Sequence, residues 1–277
     1  MQRVWRLLLA VGCVCAPVTA QTVWWQHWEQ RATATQRKQP AWPPPLATIS
    51  PGLIQVARLD VFRQSAAGAA QLWNVCGGKG INLIPLARTE IDLNPPSYVK
   101  HNQARTVDGA SDASFTAKYR FAASDAQHHN TEASAFVTGT IPTGSYQNGS
   151  TEASVAPGVA AGKGFGAVNV QSSLSATLPV HEGAALGRPV AWNTTTQAQV
   201  WKVLWPEMEV NATFFHGGAN DGRVQAYLTP GLLAARKLHP AEPGSRLGFC
   251  AGIGEQIAVT SLRTTNHNVL ITARILF

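Results

Sequence analysis

The sequence predicts an all-β fold, an antiparallel up-and-down transmembrane β-barrel of about twelve strands, with roughly ten to fourteen as the bounds. Three observations predict it. Alternating apolar and polar segments of about ten residues recur from residue 52 to the C-terminus, with turn residues between them. Charged residues make up only 13% of the 277, against about 25% in soluble domains. The chain also ends on an alternating strand, NVLITARILF, whose last residue is Phe277.

The N-terminus has the form of a secretory leader. Arg3 and Arg6 form a positive start, Leu7 to Val14 a short apolar run, and Val18-Thr19-Ala20 a small-residue cleavage signal before Gln21. The apolar run is too short to cross a bilayer as a helix. Residues 1–20 are therefore expected to leave, taking Cys13 and Cys15 with them. Cys76 and Cys250 stay behind and could pair in an oxidising compartment or remain free thiols. Residues 21–50 hold Trp24, Trp25, Trp28, Trp42 and the run Pro43-Pro44-Pro45, which reads as an extended periplasmic tail, loose or packed in a lumen.

Residues 51–277 carry the barrel. In 52–63 and the weaker 69–76 a hairpin is expected, followed by about ten strands from Ile81 onward; closure with both termini on one side needs an even number, hence twelve. Phe115, Ala117, Tyr119 and Phe121 take one face, with Ser114, Thr116, Lys118 and Arg120 on the other. Met208, Val210, Ala212 and Phe214 alternate in the same way with Glu207, Glu209, Asn211 and Thr213, and Val224, Ala226 and Leu228 with Arg223, Gln225, Tyr227 and Thr229. The breaks PTGSYQNGS, GKGFG and GGANDG are rich in Gly, Pro, Asn and Asp.

Alternation alone also fits a soluble sandwich. Two features favour lipid on the apolar face. Charges of both signs fall on the polar face of strand after strand, where they could pair across a wet lumen. Trp192, Trp205 and Tyr119 stand near strand ends, where interfacial aromatic girdles lie. Strands can span lipid only as a closed ring, so the last strand must pair with the first, and Phe277 is read as an assembly signal for the barrel-assembly machinery. The expected surroundings are outer-membrane lipid. The formal net charge of +7 is mild and unclustered, which argues against nucleic acid.

Candidate lumen and selectivity residues are Arg88, Glu90, Asp92, Lys118, Arg120, Glu207, Glu209 and Arg223, which could equally form an internal salt-bridge network that fills a narrow bore. No catalytic residue, cofactor or metal site is expected. His128 and His129 are neighbours on a turn, and nothing in the spacing selects a nucleophile. Glu255 falls on the lipid face by strict alternation, so it needs either a bulge that turns it inward or a place at the interface.

The segments GGKGINLIP, RTEIDLNPPSYVKH, IPTGSYQNGS, GKGFGAVNVQSSLSATLP, AWNTTTQAQVWKVLWPEMEVNATF, GRVQAYLTPGLL, GIGEQIAVT and NHNVLITARILF, in this order from residue 77 to the end, are together similar to those of the outer-membrane barrel family associated with the meta pathway of phenol degradation. The resemblance implies a barrel in the outer membrane of a didermic bacterium and passage of small hydrophobic or aromatic compounds. The alternatives are a structural or adhesive barrel without transport, and a lipid or ester hydrolase.

Overall fold

The computed structural model describes residues 18–66, 70–77, 79–239 and 245–277. The leader reading falls almost wholly outside them. The barrel comprises twelve antiparallel strands. They are β1 (Val56–Ser65), β2 (Gln71–Val75 and Ile81–Leu86), β3 (Thr89–Asn94, prolonged by Tyr98–His101) and β4 (Ala113–Ser124). Next come β5 (Thr131–Ile141), β6 (Ser154–Phe165), β7 (Val168–Ala176, prolonged by Leu178–Pro179) and β8 (Val190–Ala198). The last four are β9 (Leu204–Phe214), β10 (Val224–Lys237), β11 (Gly248–Ala258) and β12 (His267–Leu276). Each strand pairs with its sequence neighbour, and β12 closes on β1 over ten residue pairs, from Val56 opposite Leu276 to Ser65 opposite His267. No sheet edge is left open along this seam, as a spanning barrel requires.

The count of twelve stands, but the expected first hairpin divides differently. Residues 71–75 and 81–86 are two pieces of one strand, the first paired with β1 and with Tyr98–His101, the second with the start of β1 and with Thr89–Asn94. The run of glycines after Val75 explains the break, because glycine gives a strand no side chain to pack. Pro95 and Pro96 interrupt β3 at a similar place, since proline cannot donate to the ladder.

The two faces are distributed as alternation requires. Leu59, Phe115, Tyr119, Val159, Val210, Leu228, Ile253, Ile271 and Ile275 are exposed on the outside, while Asp60, Thr116, Lys118, Arg120, Ser134, Gln171, Gln197, Glu207, Glu209, Thr229 and Arg274 are buried inside. Trp192 and Tyr119 face outward as expected, but Trp205 does not. It shares the parity of Glu207 and Glu209 and is buried within the lumen against Leu46, Leu233, Cys250 and Leu270. Glu255 stays on the outer face with no bulge, opposite Val269 near the end of β11 away from the termini, where its carboxylate meets His267 Nδ1 at 2.9 Å. Placement near an interface, not a turn inward, is how this barrel accommodates the charge.

Residues 18–55 differ from an extended, loose tail. Val18–Gln36 form a helix, α1, and the segment after it enters the barrel. The helix lies across the end of the barrel that carries both termini. Ala32 packs with Leu53 and Ile84, Thr35 Oγ1 donates to the Ala87 carbonyl at 3.1 Å, and Trp28 Nε1 donates to Gln55 at 2.5 Å. Arg246, in the β10–β11 connection, joins helix to C-terminus by donating to Glu29, to Thr33 at 3.0 Å and to the Phe277 carbonyl at 2.6 Å. No helix among the described residues is long and apolar enough to cross a membrane.

Candidate functional site: the plugged lumen

Residues 40–52 form a loop that goes into the lumen and returns. Its neck is held mainly by one side chain, Gln39, with Gln36 Nε2 also donating to the Leu53 carbonyl at 3.4 Å. Gln39 Nε2 donates to the Leu53 carbonyl at 3.0 Å and its Oε1 accepts from the Leu53 amide at 3.1 Å, while Arg120 holds Gln39 and the Thr35 carbonyl from the wall. Residues 39 and 53 are thereby fixed side by side, and everything between them projects inward.

The wall matches the loop's backbone group by group. Pro43, Pro44 and Pro45 have no N–H, so this stretch offers only acceptors. Two arginines meet it. Arg274 donates to the carbonyls of Pro44 and, at 2.9 Å, Pro45; Arg58 donates to the Leu46 carbonyl at 2.6 Å. The next residues offer donors, and two glutamates meet them. Leu46 N donates to Glu207 at 3.0 Å, Ala47 N to Glu209 at 2.8 Å, and Thr48 N and Oγ1 to the second Glu209 oxygen at 2.7 and 2.5 Å. Farther along, Ser50 Oγ donates to Gln171 at 2.9 Å, Lys118 Nζ to the Gly52 carbonyl at 3.3 Å, and Ile54 N to Glu90. Hydrogen bonds to ionised partners are about twice as strong as neutral ones, and an unpaired backbone group in this buried place would be costly.

Missing side chains in the wall make room for the loop. A Cβ added at Gly231 or Gly254, which pair across β10 and β11, would lie 2.5 Å from Leu46 Cδ1. A Cβ at Gly162 or Gly164 on β6 would lie 2.8 Å from the Trp42 ring. The side chains of Leu46 and Trp42 thus sit in recesses that alanine would fill.

Of the predicted lumen residues, Glu90, Lys118, Arg120, Glu207 and Glu209 are brought together around the plug. Lys118 Nζ reaches Glu90 at 2.6 Å. Asp92 faces inward beside them, with Oδ1 buried and unpartnered among the described residues. Arg88 and Arg223 are corrections: both lie in connections and are exposed, because the alternation was extended past the strand end. Sequence reasoning missed Arg274 and Gln171 as site residues and did not select Arg58, which also pairs with Asp60 at 2.7 Å. Parity places all three inward, but their partners are the backbone of a segment far away in sequence.

Beyond the plug, β7 to β12 line the lumen with amides and hydroxyls. Gln171 donates to Gln197 at 3.1 Å and Gln197 to Glu207 at 2.7 Å; Asn211 donates to Asn193 at 3.2 Å and accepts from Thr229 at 2.8 Å; Asn268 donates to Gln256 at 2.6 Å. A cavity of about 800 Å³ opens at the terminal end between the plug neck and β9–β12, lined in part by Trp42, Lys202, Trp205, Arg246 and Arg274. Cys76 and Cys250 are both free. Cys250 belongs to the apolar cluster around Leu46, and Cys76 stands at the break of β2. Among the described residues no group of three ligand-type side chains could hold a metal. His128 caps its own turn on Asp125 at 2.7 Å.

No family model matches the chain, and no characterised protein matches it in sequence. Solved structures do match in fold. An outer-membrane channel from Pseudomonas putida F1 superposes with a TM-score of 0.57 at 14% identity, covering 85% of this chain and 100% of the other. The NanC porin superposes with a TM-score of 0.50 at 10% identity, covering 79% of this chain and 98% of the other. The likeness is one of architecture, a porin-like outer-membrane barrel.

Proposed function

We propose that the protein is a channel of the outer membrane whose bore is closed by its own residues 40–52 and opens when that loop is displaced. The observation that carries this reading is the group-by-group match between the loop backbone and Arg58, Arg274, Glu207 and Glu209. A permanent filler would need only apolar packing. This loop is held mainly by charge-assisted hydrogen bonds that water can replace, on a neck of two glutamines. The outer-membrane setting is supported by the apolar outer belt and the closed seam.

The solute class is proposed from the wall. Passage of small aromatic compounds, which the sequence resemblance implies, fits best for compact rings carrying hydroxyl or carboxyl groups. The amides of β7–β12 offer donors and acceptors to such groups, and Phe136 supplies an apolar surface over Gly158 on the neighbouring strands. The test uses the purified full chain in planar bilayers beside a variant in which residues 41–51 are replaced by a Gly/Ser loop of equal length. The full chain should be nearly silent and the variant should show steady conductance. In vesicles the variant should admit hydroxybenzoate faster than a disaccharide. Silent bilayers from a correctly folded variant would sink the channel reading.

A further inference from the structure

A second cavity, of about 380 Å³, lies outside the lumen, between α1 and the barrel rim at the β2–β3 turn and the end of β4. Its charged lining is all cationic: Arg31 and Lys38 from α1, Arg88 from the turn, Arg120 from β4. No carboxylate lines it. Glu29, the nearest acid along the helix, is taken by Arg246. Arg120 is occupied by Gln39 and the Thr35 carbonyl. Among the described residues the other three side chains make no hydrogen bond or ion pair, and Arg31 Nε is buried without a partner; its guanidinium is braced over the Trp28 ring at 5.3 Å. Arg120 has the buried Glu132 carboxylate near it, but no acid lines the groove beside Arg31, Lys38 and Arg88, where like charges repel and a buried donor left unmatched costs free energy. The arrangement calls for an anion.

The apolar part of the lining points to which anion. Phe121, Ala122 and Ala123 are exposed at the end of β4 that reaches this rim, where a bulge after Arg120 leaves Phe121 on the outer side. Trp24 and Trp25 are half exposed on the same helix, and the Trp24 ring makes tilted contacts with Trp25 at 6.2 Å and Trp28 at 5.4 Å. Tryptophan settles at the headgroup level of a bilayer, and basic pockets at that level take lipid phosphates.

We propose that this groove binds the phosphate headgroup of a phospholipid in the leaflet at the terminal end of the barrel, with Arg31, Lys38 and Arg88 on the phosphate and the acyl chains running along Phe121. The site rests on the outer-membrane reading above. It gives α1 a function distinct from supporting the plug: the lipid clamps the helix to the rim.

Native mass spectrometry of the detergent-solubilised full chain with phosphatidylglycerol tests it, with the faster migration of the unboiled chain on a denaturing gel as the check on folding. The wild type should retain one lipid. A variant with Arg31→Gln, Lys38→Gln and Arg88→Gln should bind it at least about tenfold more weakly, and equimolar inorganic phosphate should not displace it. Should the triple variant lose the fast-migrating form, Arg31→Gln and Lys38→Gln singly decide, since neither side chain bonds to the barrel. Unchanged lipid retention in a folded variant overturns this site and leaves the channel reading intact. Displacement by phosphate reduces the groove to a general anion site and overturns the lipid assignment. A wild type without a heat-shifted form in outer-membrane fractions overturns both readings.

Discussion

The wall from β1 to β5 and the wall from β7 to β12 surround one plug with different chemistry. The first is charged and twice broken. Arg58 pairs with Asp60 and Lys118 with Glu90, both between wall residues, on strands interrupted in β2 and β3. The second is continuous from β8 to β12 and mostly neutral, and its charges Glu207, Glu209 and Arg274 are directed at the plug. The difference shows which wall depends on the plug. With residues 40–52 gone, the ion pairs of the first wall persist. The second wall would be left with two carboxylates and a guanidinium in need of water. A water-filled path should therefore form first along β7–β12.

The largest expected effect breaks the first wall. In Lys118→Met, Glu90 stays buried and loses its countercharge. Removing one member of a buried pair costs about 3–5 kcal/mol. The variant should unfold from phospholipid vesicles at clearly lower urea than the wild type. Replacing both partners, Lys118→Met with Glu90→Leu, should recover much of the loss. If the double variant is as unstable as the single one, the pair is not what holds this wall.

The distribution of these groups explains what could be read beforehand. Outward and inward faces were legible because a strand repeats every two residues, so Phe115, Lys118, Val210 and Gln225 needed only counting. Trp205 was misread from its place near a strand end, although its parity with Glu207 pointed inward. Arg88 and Arg223 were misread by carrying the count into a turn. The plug was hidden for another reason. Pro43-Pro44-Pro45 stood out as a tail, but Arg274, which meets Pro44, and Glu207, which meets the following Leu46, are about 160–230 positions away. The match is between side chains and backbone groups, which no periodicity records.

A smaller effect sharpens the comparison on the second wall. Gly254→Ala places a methyl group 2.5 Å from Leu46 Cδ1. Overpacking of this kind costs about 1–3 kcal/mol, and the loop can relieve it by leaving. The barrel should keep its urea midpoint while Leu46 becomes accessible, read as faster labelling of a cysteine placed there. Since the label would itself replace Leu46, a second readout is bilayer conductance of Gly254→Ala alone, which should exceed that of the wild type.

The smallest effect lies at the rim beyond the first wall, where a partly exposed carboxylate does what Glu209 does in the interior. Asp112 Oδ1 accepts from the Gly144 amide at 2.9 Å, and Oδ2 from the Ser150 amide and hydroxyl at 2.6 Å each. Burial acts to raise its pKa, but these donors outweigh it and hold the carboxyl below the ordinary value of 3.8. A lowered folded pKa stabilises the ionised state, so the loop of residues 142–150 gains full support above pH 3.8 and loses it as pH falls through the lower folded value. Hydrogen exchange at Gly144 and Ser150 should accelerate over that acid window beyond the intrinsic pH trend. Asp112→Asn should exchange faster at neutral pH and show no added acid step. Because the carboxylate is near water, the effect should stay local and leave the urea midpoint unmoved, in contrast to Lys118→Met.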